Sequence, residues 1–127
     1  MSNILCIEPN AVLARTYAEA LRHAGHTVAI AATAQDAIYA ADEDQPDVVV
    51  LELQLAAHDG IEFLHEFRSY GEWESIPVIV LTNVTPPALA PLEQALETDL
   101  GVKAYLYKPH TSLRKLIRAV QEAAVPA

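Results

Sequence analysis

Short apolar runs alternate with amphipathic segments along the whole chain. Five runs rich in β-branched or large apolar residues predict strands over residues 3–8, 26–31, 47–53, 77–81 and 102–107. Between these runs, apolar residues recur at the three- and four-residue spacing of a helix that buries one face. Parallel strands need helical connections of this kind, and such connections are right-handed. The pattern therefore predicts one α/β domain over residues 1–127, a doubly wound (βα)5 sheet with five parallel strands. For such a sheet we expect the flavodoxin-like strand order 2-1-3-4-5.

Capping residues, glycine and proline mark the ends of the predicted helices. Asn10 and Thr33 stand at N-cap positions, and Gly25 is placed to end the first helix. Prolines interrupt the fourth helical segment. Because proline lacks a backbone N–H, we expect a loop over residues 83–90, with Pro91 in the first turn of the helix that follows. The last helix has one apolar stripe, formed by Leu113, Leu116, Ile117 and Val120.

Polar side chains stand where four of the five predicted strands end. The carboxyl ends of parallel strands meet at one edge of a sheet, where the ligands of such proteins bind. Two carboxylates, a hydroxyl and an ammonium are expected to converge there, those of Glu8, Glu52, Thr82 and Lys108. Each of these residues alone is equally well explained as a helix cap or a solvated loop residue. Their combination is what indicates a functional site.

The composition narrows the class of function. The 127 residues include 8 Lys and Arg against 17 Asp and Glu, a net charge of −9, so the surface is expected to repel DNA and RNA. No apolar run approaches the roughly 20 residues that a membrane-spanning helix needs. A single cysteine allows no internal disulfide, and the first residues lack the cationic segment of a signal peptide. We therefore expect a cytoplasmic protein with no direct nucleic-acid or membrane partner.

Four motifs carry a resemblance to a known family. They are ILCIEPN around the first strand, DVVVLELQLAAHDGIEFL from the third strand into the next helix, PVIVLT in the fourth strand and AYLYKP in the fifth. Over essentially its whole length the chain resembles the response-regulator receiver domains of two-component (phosphorelay) systems, which have the CheY-like, flavodoxin-like fold. The resemblance implies a signalling module rather than an enzyme, with a sensor kinase or an output protein as partner. We expect a stand-alone module, because the last helix ends at the chain terminus.

The resemblance also implies roles for individual residues. Glu8 and Pro9 match the acidic pair that holds a divalent metal in the family, and Glu52 matches the phosphoacceptor aspartate. Three further positions match the switch hydroxyl, the rotating aromatic and the lysine of the site, and these are Thr82, Tyr105 and Lys108. The family also has a cis peptide bond after this lysine, which proline alone makes accessible, and Pro109 stands at that position.

Two of these positions depart from the family pattern. The extra methylene of Glu52 moves the carboxylate by about 1 Å, a misplacement that can cost on the order of 10²-fold in rate. Pro9 offers no side-chain oxygen, whereas Mg²⁺ demands near-octahedral oxygen ligation. We therefore predict a pseudo-receiver that acts by protein–protein interaction, with no metal or only weak Mg²⁺ binding at Glu8 and Glu52. Glu52 is expected either to engage Lys108 and Thr82 like a permanently set switch or to form a plain ion pair with Lys108.

Two other functions stay open at this point. An active receiver would still be phosphorylated, inefficiently and with Mg²⁺, on Glu52 or Asp59. A small flavodoxin-like enzyme or flavin carrier is a more remote alternative. It is disfavoured because residues 9–11 provide no glycine-rich or Ser/Thr-rich phosphate loop after the first strand.

Basic residues cluster near the C-terminus. Residues 103–118 contain five of the eight basic residues and no Asp or Glu. In receivers the fourth helix, fifth strand and fifth helix form the usual partner and dimer face, so Tyr105, Arg114 and Arg118 are expected to contact an acidic partner or a second copy of the chain. The acidic residues that a second copy offers are Glu93, Glu97 and Asp99. The alternative is a solvated helix face whose cations favour the helix dipole.

Overall fold

The computed structural model describes residues 1–124, and residues 125–127 lie outside the described part. The strands are β1 Asn3–Ile7, β2 Thr27–Ala31, β3 Val48–Leu51, β4 Val78–Thr82 and β5 Val102–Tyr107. They form one parallel sheet in the order β2-β1-β3-β4-β5. This order confirms the predicted doubly wound α/β fold.

Helices connect the strands. They are α1 Ala11–His23, α2 Ala34–Glu43, α3 Gly60–Ser69, α4 Pro86–Leu89, α5 Glu93–Thr98 and α6 Leu113–Ala124. Short 3₁₀ turns occupy Gly71–Trp73, Ala90–Leu92 and Lys108–His110. Within residues 1–124, no helix is long and apolar enough to cross a membrane. Two short helices joined by a 3₁₀ turn, α4 and α5, lie between β4 and β5, where the sequence predicts a loop followed by one helix.

Two apolar layers cover the two faces of the sheet. One layer packs α1 and α6 against the sheet, and the other packs α2, α3, α4 and α5 against the opposite face. All four residues of β3 are buried, because helices cover this central strand on both sides. The packing holds the carboxyl ends of β1, β3, β4 and β5 at one edge, which is where the polar residues of the sequence are placed.

Both predicted N-caps are confirmed. The Asn10 side chain accepts a hydrogen bond from the Leu13 N–H at 3.0 Å, and the Thr33 side chain accepts one from the Asp36 N–H at 3.1 Å. Gly25 follows the end of α1 with a φ of +102°, a conformation that glycine adopts without strain. Local sequence signals therefore placed the ends of these helices correctly.

The predicted loop over residues 83–90 is wrong in its second half. The two prolines of this segment open α4, where the first N–H groups have no helical partner, so the N–H that proline lacks is not missed. The Thr85 hydroxyl caps α4 by accepting from the Ala88 N–H at 3.4 Å. Pro91, expected in the first turn of a longer helix, lies in the 3₁₀ turn between α4 and α5.

The expected cis bond between Lys108 and Pro109 is also wrong. This bond is trans, and none of the peptide bonds within residues 1–124 is cis. Trans is the lower-energy isomer before proline by about 0.5–1 kcal/mol. Pro109 lies in the first positions of the 3₁₀ turn Lys108–His110, where its fixed φ fits a helical turn with the trans bond.

His26 is a buried titratable group at the end of the sheet opposite to the strand carboxyl ends. It is 9% exposed, its Nδ1 accepts a hydrogen bond from the Ser2 N–H at 3.2 Å, and its Nε2 is buried without a partner. Burial, and after it the positive N-terminal amine, lowers the pKa of His26 from its ordinary value of 6.5. The unfolded chain therefore takes up this proton at a higher pH than the folded protein does.

We expect the free energy of unfolding to fall as the pH drops below about 6.5, until the pH reaches the lowered pKa of the folded state. His26→Leu removes this part of the pH dependence, whereas the same change at the exposed His23 leaves it in place. Urea unfolding at about pH 7.5 and about pH 5.5 measures the difference. The same pH dependence in His26→Leu as in the parent protein would contradict this assignment.

Candidate functional site

Four polar side chains meet at the carboxyl edge of the sheet. Glu8 follows β1, Glu52 follows β3, Lys108 follows β5, and Thr82 is the last residue of β4. Glu8 and Glu52 are each 3% exposed, and Thr82 is 1% exposed. The sheet thus brings together, below the surface, the carboxylates, the hydroxyl and the ammonium that the sequence places at this edge.

The Lys108 ammonium bridges the two carboxylates. Its Nζ lies 2.6 Å from Glu8 Oε1 and 2.7 Å from Glu52 Oε1. The Lys108 side chain is 9% exposed, and each glutamate side chain is 4% exposed. Both contacts are charge-assisted and largely removed from water. We refer to Glu8, Glu52 and Lys108 together as the charge cluster.

The second oxygen of each carboxylate is also engaged. Glu52 Oε2 accepts a hydrogen bond from the Thr82 hydroxyl and another from the Gln54 N–H at 3.1 Å. Glu8 Oε2 accepts a hydrogen bond from the Asn10 N–H at 3.0 Å. All four carboxylate oxygens of the charge cluster therefore have a donor, as the burial of charged groups requires.

Thr82 connects the charge cluster to the loop after β4. Its single hydroxyl proton is donated to Glu52, so the same oxygen acts as acceptor toward the Val84 N–H, which lies 3.1 Å away. Glu52 is thus in contact with both Lys108 and Thr82. The set-switch interpretation of Glu52 expects both contacts, and the plain ion pair expects the contact with Lys108.

The surroundings keep Lys108 in its charged form. Burial by itself lowers the pKa of Lys108, but the hydrogen bonds and negative charges of Glu52 and Glu8 outweigh burial, and the net effect is a raised pKa. Beside the charge cluster, burial and then the charge of Glu8 raise the pKa of the Cys6 thiol to about 12. Cys6 is therefore a neutral packing residue, and Lys108 is the cation of the site.

The position beside Glu8 carries no second acid. Pro9 is exposed and has no side-chain oxygen, and the Asn10 side-chain oxygen is already used to cap α1. Within residues 1–124, no three His, Cys, Asp or Glu side chains gather where they could hold a metal ion. The donors present at this edge do not fit a divalent metal site.

The Asp-Gly pair shapes the chain between β3 and α3. The Asp59 side chain accepts from the Glu62 N–H at 2.8 Å, and Glu62 accepts from the Asp59 N–H at 3.4 Å, which forms a capping box. A Cβ on Gly60 would lie 2.7 Å from Leu53 Cα and 3.0 Å from the Glu52 carbonyl oxygen. The absence of a side chain at Gly60 therefore lets α3 start against the backbone that carries Glu52.

Tyr105 on β5 contacts α5. Its hydroxyl donates to the Glu93 carbonyl oxygen at 3.0 Å. Burial, and then the charges of Glu97 and Glu93, raise the pKa of Tyr105 to about 12. The half-buried ring lines a cavity of about 110 Å³ together with Thr82 and Leu89. The Tyr105 hydroxyl therefore contacts α5, and its ring lines the same cavity as Thr82.

The expected partner residues lie at the β5 edge of the sheet. Arg114 and Arg118 are exposed on α6 and line a groove of about 390 Å³ together with Ala104 and Leu106 of β5. Side chains alternate along a strand, so Tyr105 points to the other face of β5. The structure thus places the two arginines together and places Tyr105 on the opposite face of the same edge strand.

The contact between Glu8 and Lys108 is the part of the site that sequence reasoning missed. The sequence predicted a contact between Lys108 and Glu52, whereas Glu8 was expected at most to bind Mg²⁺ weakly together with Glu52. The opposite charges at the ends of β1 and β5 could have indicated this contact. The two strands are not neighbours, however, because β3 and β4 lie between them in the sheet. Only the long lysine side chain, reaching across the edge, makes the contact.

Comparisons with known proteins give one consistent result. A family model described as the response regulator receiver domain matches residues 4–121. The KDP operon transcriptional regulatory protein KdpE of Escherichia coli (strain K12) is 33% identical over 109 residues, which cover 86% of this chain and 45% of that protein. The transcriptional regulatory protein PdtaR of Mycobacterium tuberculosis is 33% identical over 121 residues, which cover 94% of this chain and 55% of that protein. The chain spans about half the length of these two relatives.

A likeness in structure accompanies the likeness in sequence. The chemotaxis protein CheY4 of Vibrio cholerae superposes with a TM-score of 0.86 at 23% identity, covering 97% of this chain and 98% of that chain. At this level of identity the likeness shows the fold, and it agrees with the strand order described above.

Proposed function

Because this chain belongs to the family of response regulator receiver domains, we propose that it is a signalling module that acts through protein–protein contacts and has lost ordinary phosphotransfer. Receiver domains are signalling modules of two-component systems rather than classical enzymes. In this proposal, Glu52 stands in place of the phosphoacceptor as a permanently set switch, and the partner is a sensor kinase or an output protein. The proposal places the protein in the cytoplasm, where a lone thiol such as Cys6 stays reduced.

The observation that carries the proposal is the engagement of the Glu52 carboxylate. Lys108 donates to one oxygen, and Thr82 and the Gln54 N–H donate to the other. A nucleophilic carboxylate must approach a phosphorus atom in line, and positioning is most of the catalysis in phosphoryl transfer. At 3% exposure and with both oxygens engaged, Glu52 is suited to hold Thr82 and Lys108 and is poorly placed to attack.

Intact mass after incubation with a small-molecule phosphodonor tests this proposal. With or without Mg²⁺, the parent protein is expected to gain no phosphoryl adduct. Glu52→Asp is the matched variant, because it shortens the side chain by one methylene and keeps the charge. If only this variant gains an adduct, the loss of phosphotransfer is assigned to residue 52. If neither protein gains an adduct, Pro9 is a further cause of the loss. A phosphoryl adduct on the parent protein contradicts the proposal.

Inefficient phosphorylation of Asp59 is the second candidate, and the observation in its favour is the exposure of this residue. Against it, the Asp59 carboxylate already accepts from the Glu62 N–H as the cap of α3. An adduct that disappears in Asp59→Asn would assign phosphorylation to this residue. The flavin carrier or flavodoxin-like enzyme gains no support from the family match, which covers residues 4–121.

A second copy of this chain is the partner that we propose for the cations of α6. Arg114 and Arg118 line the groove beside β5, while Glu93 and Glu97 supply acidic side chains on α5 of the same edge. In a two-fold dimer each cationic groove would face the acidic residues of the other copy.

Charge reversal tests this dimer. Changing Arg114 and Arg118 together to glutamate is expected to weaken self-association by about tenfold or more, since each pair of like charges brought together opposes docking. Arg15→Glu, at an exposed position of α1, is the control and leaves the dissociation constant unchanged. Sedimentation equilibrium measures the constant. A parent protein that stays monomeric at every concentration would rule out the dimer.

A further inference from the structure

β2 is an outer strand of the sheet, with β1 on one side and a free edge on the other. The Thr27 N–H donates to the Ser2 carbonyl oxygen at 3.0 Å, so the peptide groups of Thr27 face β1. Because the peptide groups of successive residues point to opposite sides of a strand, those of Val28 and Ile30 face the free edge. This edge therefore presents two N–H groups and two carbonyl oxygens, the pattern that pairs with a further strand.

The Arg22 side chain, from the last turn of α1, lies at this free edge. Its Nη2 donates to the Val28 carbonyl oxygen at 2.9 Å. The guanidinium nitrogen thus occupies the place where an N–H of a further strand would donate. Charged side chains at an open edge keep the sheets of separate molecules from pairing. Arg22 therefore blocks one of the four backbone groups that the edge of β2 presents.

The β2 strand carries apolar side chains and no charge. Residues 27–35 contain no Asp, Glu, Lys or Arg, although the whole chain has a net charge of −9. Ile30 is 43% exposed, and Val28, on the same face of the strand, is half-buried against the layer of α1 and α6. Two copies of this strand would therefore meet without like charges between them, and each would cover the exposed Ile30 of the other.

The β2 strand is complementary to itself in the antiparallel direction. With Ala29 on a two-fold axis, Val28 of one copy lies opposite Ile30 of the other copy, and the two residues exchange both of their backbone hydrogen bonds. The axis repeats this pair, so the register forms four hydrogen bonds between the strands. The paired side chains are β-branched, which favours sheet pairing, and the alanines at the axis allow close approach.

We propose that the free edge of β2 binds β2 of a second copy of this chain, antiparallel and with Ala29 at the axis, and that Arg22 holds this interface closed. Pairing requires Arg22 to release the Val28 carbonyl oxygen, which then accepts from the Ile30 N–H of the other copy. Two contacts of Arg22 are exchanged for four backbone hydrogen bonds and the burial of Ile30 in both copies. Loss of Arg22 therefore favours this dimer. The inference does not depend on phosphorylation of the chain.

This interface is separate from the proposed contact between α6 and α5, because β2 and β5 are the opposite outer strands of the sheet. Every protein compared in the test therefore also carries Arg114→Glu and Arg118→Glu, the charge reversals that weaken that other contact. We call this chain the test background. Since all comparisons are made within it, failure of the α6 dimer and failure of the β2 dimer are distinguishable.

In the test background, Arg22→Ala is expected to strengthen self-association by about tenfold or more, since it removes from each copy one hydrogen bond that competes with pairing. Arg15→Ala is the matched control, because it removes the same charge from an exposed position of the same helix, and it is expected to leave the dissociation constant unchanged. Sedimentation equilibrium measures both constants. The inference is overturned if Arg22→Ala associates no more strongly than Arg15→Ala.

Amide hydrogen exchange shows which surface forms the dimer. In Arg22→Ala, exchange at the Val28 and Ile30 amides is expected to slow in proportion to the dimer fraction as the protein concentration rises, because these N–H groups enter hydrogen bonds. The amide of the exposed Gly71 is the reference and keeps its rate. Self-association with unchanged exchange at Val28 and Ile30 would overturn the inference, because a different surface would then form the dimer.

A charge placed on the strand itself completes the test. Ile30→Lys, added to Arg22→Ala, is expected to return self-association to the level of Arg15→Ala, since an edge lysine opposes strand pairing. Leu92→Lys is its matched control, because Leu92 is 42% exposed, against 43% for Ile30, and lies outside β2. This control is expected to keep the stronger association. An equal loss in both variants would contradict the inference, because added charge rather than its position on β2 would then separate the copies.

Discussion

Lys108→Met is expected to destabilise the protein by about 3–5 kcal/mol, because it leaves two buried carboxylates without their cation. Lys108 is the donor to Oε1 of both Glu8 and Glu52, at 2.6 Å and 2.7 Å. The methionine side chain fills a similar volume, so most of the loss reports on charge rather than on packing. Guanidinium unfolding in the presence of a chelator measures the change without rescue by a divalent metal.

Two further variants control this measurement. Lys103→Met removes a lysine of β5 that is exposed, and it is expected to change the unfolding free energy by less than about 0.5 kcal/mol. The triple variant with Lys108→Met, Glu8→Gln and Glu52→Gln removes the charges together and is expected to recover most of the loss, since no uncompensated charge stays buried. A loss below about 1 kcal/mol in Lys108→Met would show that water reaches the charge cluster and screens it.

Gly60→Ala is expected to destabilise the protein by about 1–3 kcal/mol through overpacking against backbone atoms. The new Cβ would lie 2.7 Å from Leu53 Cα and 3.0 Å from the carbonyl oxygen of Glu52. Backbone atoms cannot rotate away as a side-chain end can, so α3 or the segment after β3 must shift. The same unfolding experiment measures the loss, and a changed resonance of the Gln54 amide reports movement of the segment that holds Glu52.

Gly71→Ala is the matched control for this substitution. A Cβ on Gly71 would meet nothing within 4 Å, and its backbone does not require a positive φ. Its effect on the free energy of unfolding is expected to stay within about 0.5 kcal/mol, as for most surface substitutions. Equal effects at Gly60 and Gly71 would show that close contact with Leu53 and Glu52 is not what requires glycine at position 60.

Much of the fold was predictable because its causes are local. The five strands follow from apolar runs, and their parallel arrangement follows from the helical segments between them. The order 2-1-3-4-5 was expected because it is the flavodoxin-like order of such sheets. Asn10 and Thr33 cap helices within three residues of themselves, so no distant contact is needed to place them. The choice of receiver fold likewise needed only the motifs at the strand ends, and the family match over residues 4–121 agrees with it.

The two wrong predictions of local structure both concern prolines, because proline is compatible with two local conformations at these positions. The prolines that open α4 are compatible with a loop or with the first turn of a helix, and the cap from Thr85 decides for the helix. The bond before Pro109 has two accessible isomers separated by only about 0.5–1 kcal/mol. The 3₁₀ turn that follows β5 fits the trans isomer. The surrounding structure, rather than the proline, selects between such states.

By itself, the sequence determined which residues form the carboxyl edge of the sheet and that Glu52 and Pro9 depart from the family pattern. Only the tertiary structure decided that Lys108 bridges Glu8 and Glu52 and that Thr82 donates to Glu52. The physical reason is the distance along the chain over which each kind of interaction acts. Periodicity and capping act between residues a few positions apart, whereas residues 8, 52, 82 and 108 meet only after the sheet register and the packing of the helices fix the distances between strand ends. The length and rotamers of the side chains then select the contacts that form.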